Sequence, residues 1–348
     1  MPHVYSIAAF VVTVAYVPWF ADAANAPRWM LLSLLLPWAW NLRLLSGSHI
    51  AGIMFLLFAA LSLLWTPVPI EGVQPLWQFI LLGVVFCIGF EMESLEPIFV
   101  GAAWGIGVSS AVALFQAEPT GLFLNKNFMA EAAVLVAVGV IIYRRWELLV
   151  LFLPAMFMPL SRGALLAFGI TMVLYWRSTW IAVLGAVAFA LLLLAQPHGS
   201  SLGERWVIWT FTLEHLTWFG HGIGSFYIDF PSFREGGFAL RFDHAHNDLL
   251  ELVYEFGLGT VPLLLVWLVA MCQYSQVRLV LVAFAVEGCF GFPLFLPVTG
   301  ALAALAAGHL CGARHRVHGV VSVRERALRD GARQFGLRRR EIPSAAGG

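Results

Sequence analysis

The chain comprises 348 residues, 60% of them hydrophobic and 11% charged, with 14 tryptophans and a mean hydropathy of +0.84. Soluble domains carry about 25% charged residues, so this composition excludes a soluble globular protein. Its 20 basic and 20 acidic residues cancel, which leaves no electrostatic footprint for nucleic acid. Cys87, Cys272, Cys289 and Cys311 lie in or beside apolar segments without a CxxC pair. That pattern supports neither a disulfide framework nor a cysteine-based zinc site. The N-terminus lacks the basic region and small-residue cleavage site of a secretory signal, so the first apolar stretch is expected to remain as a span.

Crossing a bilayer takes roughly 20 mainly apolar residues. With that ruler, spans are expected near 4–20, 28–45, 50–65, 73–90, 97–116, 128–143, 146–160, 163–176, 179–196, 247–271, 277–292 and 293–312. The fold class is therefore an all-α integral membrane protein of about twelve transmembrane helices, several of them short. The membrane domain covers 1–312, and a basic cytoplasmic tail covers 313–348.

Arginine and lysine placement sets the orientation. With the N-terminus inside, Arg43, Arg144, Arg145, Arg177 and Arg278 fall in inside loops, and the tail adds nine arginines between Arg314 and Arg340. Arg28, Lys126, Arg162, Arg205, Arg234 and Arg241 fall outside. Merging the last two spans around Gly288, Gly291 and Pro293 would put the tail outside, so both termini are expected in the cytoplasm. The tail, with a net charge of +6, suits either an amphipathic helix on anionic lipid or a stop-transfer anchor with a disordered end.

This topology leaves residues 197–246 as one long periplasmic loop, a length usually reserved for function. Its glycines and Pro231 predict turns and short helices, and Trp206, Trp209, Trp218 and Phe219 suit a helix at the membrane interface. Four polar features share its side. They are Gly121-Leu-Phe-Leu-Asn-Lys-Asn127 leading to Glu131, Ser161-Arg162-Gly163, Glu204-Arg205-Trp206 with Trp209, and the stretch from Arg241 through His244, His246 and Asn247. Polar groups gathered at the mouth of an apolar helix mark a functional site by default.

The residue types suggest chemistry. Arginine presents a planar fork of donors that grips phosphate oxygens, so Arg162 and Arg205 are candidate diphosphate ligands. Arg162 also fits an interfacial anchor, and Arg205 a loop-surface partner of Glu204 or Glu214. A neutral imidazole accepts a proton near neutral pH, which makes His246 a candidate base. Asn247 is placed to cap the following helix, with Asp248 in its first turn. Asp248, Glu251 and Glu255 share one face at i, i+3 and i+7, to position an acceptor or to contact other helices. His244, His246, Asp248 and Glu251 are also types that bind zinc, although the HExxH pattern is absent.

These residues resemble the signature of the O-antigen ligase and O-antigen polymerase superfamily. His246-Asn247, nine residues and Gly257-Leu-Gly-Thr260 match its histidine element. Gly220-His-Gly-Ile-Gly-Ser-Phe226 is similar to its glycine-rich segment, Glu204-Arg205 with Trp209 to its R-x-x-x-W element, Ser161-Arg162-Gly163 to its Ser-Arg-Gly motif, and Asn125-Lys-Asn127 to its mid-chain asparagine element. The resemblance runs from about residue 120 to 262. It implies an inverting, metal-independent glycosyltransferase without cofactors, working at the periplasmic face of a bacterial inner membrane in lipopolysaccharide or exopolysaccharide assembly. Such enzymes move a glycan from undecaprenyl diphosphate to the hydroxyl of a glycan or lipid acceptor. By the same resemblance His246 is the catalytic histidine and Arg162 and Arg205 hold the diphosphate. Asn127, Arg241, His244 and Asn247 are candidate substrate-binding residues beside them. A ligase is favoured over a repeat-unit polymerase or a transfer to protein. Two other classes remain: a lipid-linked sugar transporter using Glu131 and Glu287, and a metallohydrolase using His244, His246 and Asp248.

Overall fold

The computed structural model describes residues 2–16, 24–39, 46–180, 201–232 and 243–313, and every regular element among them is helical. The expected span over 179–196 falls mostly outside the described residues, as do Arg241 and the arginine-rich tail from Arg314. The first helices are α1 (Pro2–Val14), α2 (Asn25–Ser33), α3 (Leu36–Ala39), α4 (Gly47–Ser62), α5 (Pro69–Glu91) and α6 (Glu96–Ala113). Then come α7 (Lys126–Ile142), α8 (Leu153–Phe157), α9 (Arg162–Trp176), α10 (Ser201–Glu214) and α11 (Ser225–Ser232). The chain continues through α12 (Asp248–Phe256), α13 (Val261–Met271), α14 (Arg278–Gly288) and α15 (Pro297–Ala313).

Among the described residues, three stretches are long and apolar enough to cross a membrane: α5, α6 and the run Asp248–Met271. In that run a 3-10 turn over Gly257–Thr260 joins α12 to α13. Helices α4, α9 and α15 are apolar but shorter. Prolines shorten several expected spans. The stretch 146–160 is not one helix but a 3-10 turn at Trp146–Leu151 followed by the five-residue α8, because Pro154 lacks the amide that would continue the ladder. The stretch expected over 28–45 breaks after Ser33 and restarts at Leu36, with Pro37 in the first turn of α3. The last two apolar segments are separate helices, α14 and α15, parted by a 3-10 turn at Pro293–Phe295.

The core is organised around α7, in which every residue from Met129 to Ile141 is buried. A helix apolar around its whole circumference belongs in such a position. It is packed by α6, α8, α9 and α14. Small residues allow the close approaches: Gly139 meets the ring of Phe99 on α6, and Gly101 and Gly105 bring α6 against Ser6 and Thr13 of α1. Gly308 and Gly312, one turn apart on α15, do the same against Phe86 and Phe90 of α5. Close van der Waals packing of this kind joins helices where lipid supplies no hydrophobic drive between them.

Polar contacts separate two ends of the helix assembly. At one, Arg28 is fully buried and donates to the carbonyls of Thr13 at 2.9 Å and Leu122 at 3.0 Å, with its guanidinium over the Phe123 ring. At the other, the amide of Leu95 donates to the Tyr143 hydroxyl, Arg145 pairs with Glu96 at 3.2 Å, and a ring nitrogen of His309 meets the carbonyl of Met92. The N-termini of α2 and α7 lie at the first end, together with the polar features discussed next.

Candidate functional site

Helix α12 opens on a built cap. Asn247 is extended, its Oδ1 accepts from the amide of Leu250 at 3.1 Å, and its Nδ2 donates to the carbonyl of Cys289 at 3.3 Å. One turn on, the buried Glu251 reaches back beyond the cap. Its Oε2 accepts from the amide of Ala245 at 2.7 Å, and its Oε1 lies 2.7 Å from Nδ1 of His244. The His244 ring stacks on Phe292 at 4.2 Å between centroids. Residues 244, 245 and 247 are thus held around His246, whose φ of +52° is left-handed. For a residue with a side chain this conformation costs of order 1–3 kcal/mol, and it persists only where its surroundings impose it.

His246 stands edge-on to Phe292 at 5.3 Å. Burial, the charge of Arg205 and the neighbouring His244 together push its pKa down to about 4. The imidazole is therefore neutral at physiological pH and able to accept a proton. Arg205, in the first half of α10, has its own pKa lowered by burial and by the charge of Arg162, with Glu131 opposing both. Arg162, Arg205, Glu131 and His246, from four separate segments, thus share one electrostatic neighbourhood. Arg205 is half-buried.

Two further motif elements act as scaffolding. Trp209, four residues after Arg205, donates from Nε1 to the carbonyl of Ala245 at 3.1 Å. It therefore buttresses the histidine turn, whereas Trp206, Trp218 and Phe219 of the same cluster are exposed. The segment from Gly220 to Gly224 threads between α4, α5 and α12. The amides of His221 and Gly222 donate to the carbonyls of Tyr254 and Glu255, and Thr66 and Ser62 bond both polar groups of Ile223. At Gly222, φ is +95° and an added Cβ would lie 2.8 Å from backbone of Ser62 and Thr66, so this position requires glycine.

Beside the histidines lies a cavity of about 590 Å³. His244, His246, Phe292 and Phe295 line it, with Gly224 from the glycine segment and Tyr227 from the start of α11. Asn25, Trp29, Glu71, Gln74 and Gln78, all missing from the sequence-derived site, also line it. A signal for three of them exists. Glu71, Gln74 and Gln78 recur at helical spacing in an otherwise apolar stretch, but a span drawn from residue 73 severs the first from the others.

Of the sequence-derived candidates, Arg205 and His244 act electrostatically on His246, and Arg162 on Arg205. Asn247 sits beside them with its amide engaged in the cap. Asn127 lies in the first turn of α7, where its amide donates to the Asn125 side chain at 2.8 Å; its neighbour Phe128 lines the cavity. Arg241 lies outside the described residues. Among the described residues, no group of three His, Cys, Asp or Glu side chains is arranged to hold a metal ion. In comparison with known proteins, no family model matches the chain and no curated protein is significantly similar to it.

Proposed function

We propose that this chain is a membrane glycosyltransferase that moves a glycan from undecaprenyl diphosphate to an acceptor hydroxyl, in the manner of O-antigen ligases. The observation that carries the reading is the convergence of Arg162, Arg205 and His246 on one neighbourhood. Two guanidinium groups held close repel each other, and a bound diphosphate offsets that repulsion while gaining charge-assisted hydrogen bonds. As the acceptor oxygen attacks the anomeric carbon, the bond from that carbon to the diphosphate breaks and the diphosphate leaves with the electron pair. The arginines stabilise the departing charge. The acceptor proton passes to the neutral imidazole of His246.

In this reading about twelve spans with both termini cytoplasmic put the site on the periplasmic face of a bacterial inner membrane, and the lipid tail lies between helices. Lengthening of the lipid-linked glycan itself, as by a repeat-unit polymerase, uses the same chemistry. A transporter of the lipid-linked sugar is the reading favoured by Glu131, Asp248 and Glu287, which are buried and each carry an oxygen without a hydrogen-bond partner among the described residues.

The test is purified protein in detergent with an undecaprenyl diphosphate-linked oligosaccharide, EDTA and separate candidate acceptors, followed by mass. Transfer to lipid A–core identifies a ligase, and a longer lipid-linked glycan a polymerase. No turnover with any acceptor, in wild type and His246→Ala alike, sinks the proposal and points to the transporter.

A further inference from the structure

Arg205 acts on His246 electrostatically, and the polar residues of α5 that share a cavity with this histidine have no part in the diphosphate chemistry. Glu71, Gln74 and Gln78 stand at i, i+3 and i+7 on α5 and all line the cavity. They do so within a helix long and apolar enough to cross a membrane, where polar side chains are costly unless water or a polar ligand meets them. Pro75 interrupts the ladder beside them and leaves the carbonyl of Glu71 without its in-helix amide. Gly224 packs there, where an added Cβ would lie 3.0 Å from that oxygen. The loop and this part of α5 are therefore fitted to one another.

The chemistry of the lining selects the ligand. A carboxylate accepts, two amides both donate and accept, and the rings of Trp29 and Tyr227 offer apolar faces. No lysine or arginine is among the residues lining this cavity, while Glu71, Asp243, Glu251 and Glu255 are. Such a lining repels phosphate and suits a neutral molecule rich in hydroxyls. The volume falls within the roughly 300–1,000 Å³ of small-molecule sites. We propose that Glu71, Gln74 and Gln78, with Trp29 and Tyr227, bind the sugar of the acceptor and present one of its hydroxyls to His246. This assignment rests on the glycosyltransferase reading.

The test uses full-length protein in detergent carrying Gln74→Leu and Gln78→Leu together, with Gln74→Ala as a milder variant and thermal unfolding as a check on the fold. Binding is read with a panel of fluorescently labelled neutral di- to tetrasaccharides. Kinetics are read with acceptor and donor varied separately. The expected result is about tenfold weaker oligosaccharide binding and about tenfold higher acceptor KM, equivalent to about 1.4 kcal/mol, with donor KM unchanged. Retained binding and acceptor KM in the double variant overturn the subsite while leaving the transferase reading intact. A wild type that binds no member of the panel overturns it as well. Glutamine-dependent sugar binding in a protein that transfers no glycan removes the acceptor role and the transferase reading, and leaves the sugar site standing.

Discussion

Helices α5 and α12 each carry three polar residues at the same spacing, and the two triplets differ in what holds them. On α12, Asp248, Glu251 and Glu255 are all buried, and each accepts from backbone: Asp248 from Leu294, Glu251 from Ala245 and Glu255 from Phe226. They brace the turns on which the histidines and the glycine loop are built. On α5, Glu71 and Gln74 are exposed, Gln78 is half-buried, and all three border open space. Identical periodicity thus marks on α12 a brace whose Glu251 and Glu255 also border the cavity, and on α5 a lining. The difference is made by what packs above each face: loop backbone with amides to satisfy over α12, and only the cavity beside α5.

That contrast can be broken or sharpened by mutation. Under the proposed transferase function, the largest effect is expected at the histidine of the braced turn and at its proposed diphosphate ligand: His246→Ala and Arg162→Ala should lower glycan transfer by about 10²–10⁴-fold. Neither change should shift thermal unfolding, and a fully active variant removes that residue from the mechanism. Next, Glu251→Ala leaves the buried amide of Ala245 and the His244 ring without their shared acceptor. A loss of about 2–4 kcal/mol is expected by denaturation in detergent, against no more than about 0.5 kcal/mol for Gln74→Ala on the lining helix. Equal losses would erase the distinction between brace and lining.

A third test reads the charge around His246. The histidine must be neutral to accept a proton, and its pKa lies near 4, not 6.5. The acid limb of kcat/KM should therefore fall near pH 4, so that activity persists at pH 5. Arg205→Gln removes a positive neighbour, raises the pKa and moves that limb upward. Bound diphosphate acts in the same direction, which places the acid limb of kcat above that of kcat/KM. A limb unmoved by Arg205→Gln would contradict the shared neighbourhood. The smallest effect belongs to Trp209→Phe, which keeps a ring but loses the hydrogen bond to Ala245. About 0.5–1.5 kcal/mol of stability is expected to go, with His244→Ala milder in transfer than His246→Ala.

The residues of the candidate site stand out in the sequence because they are chemically conspicuous in an apolar chain. Arg162, Arg205 and His246 stand out against 11% charge, and the cap at Asn247 follows from side-chain stereochemistry alone. Arg28 was equally visible as a charge, but its complete burial between α1 and the 121–123 turn was not. Trp209 reads as an interfacial aromatic until Ala245 is found beneath it. Span lengths were read too generously where Pro37 and Pro154 interrupt the helical ladder, since hydropathy registers composition and not hydrogen bonding.

What the sequence by itself determined is the all-helical, lipid-compatible character of the chain and the chemical types available for a site. Both follow from local properties: apolar run length, helix caps and the scarcity of charge. The tertiary structure alone decided which of two identically spaced triplets braces and which only lines a cavity. It also set the left-handed turn that frames His246 and the electrostatic influence of Arg162 on Arg205. These depend on contacts between segments tens of residues apart, and periodicity along one helix carries no information about what packs against its face.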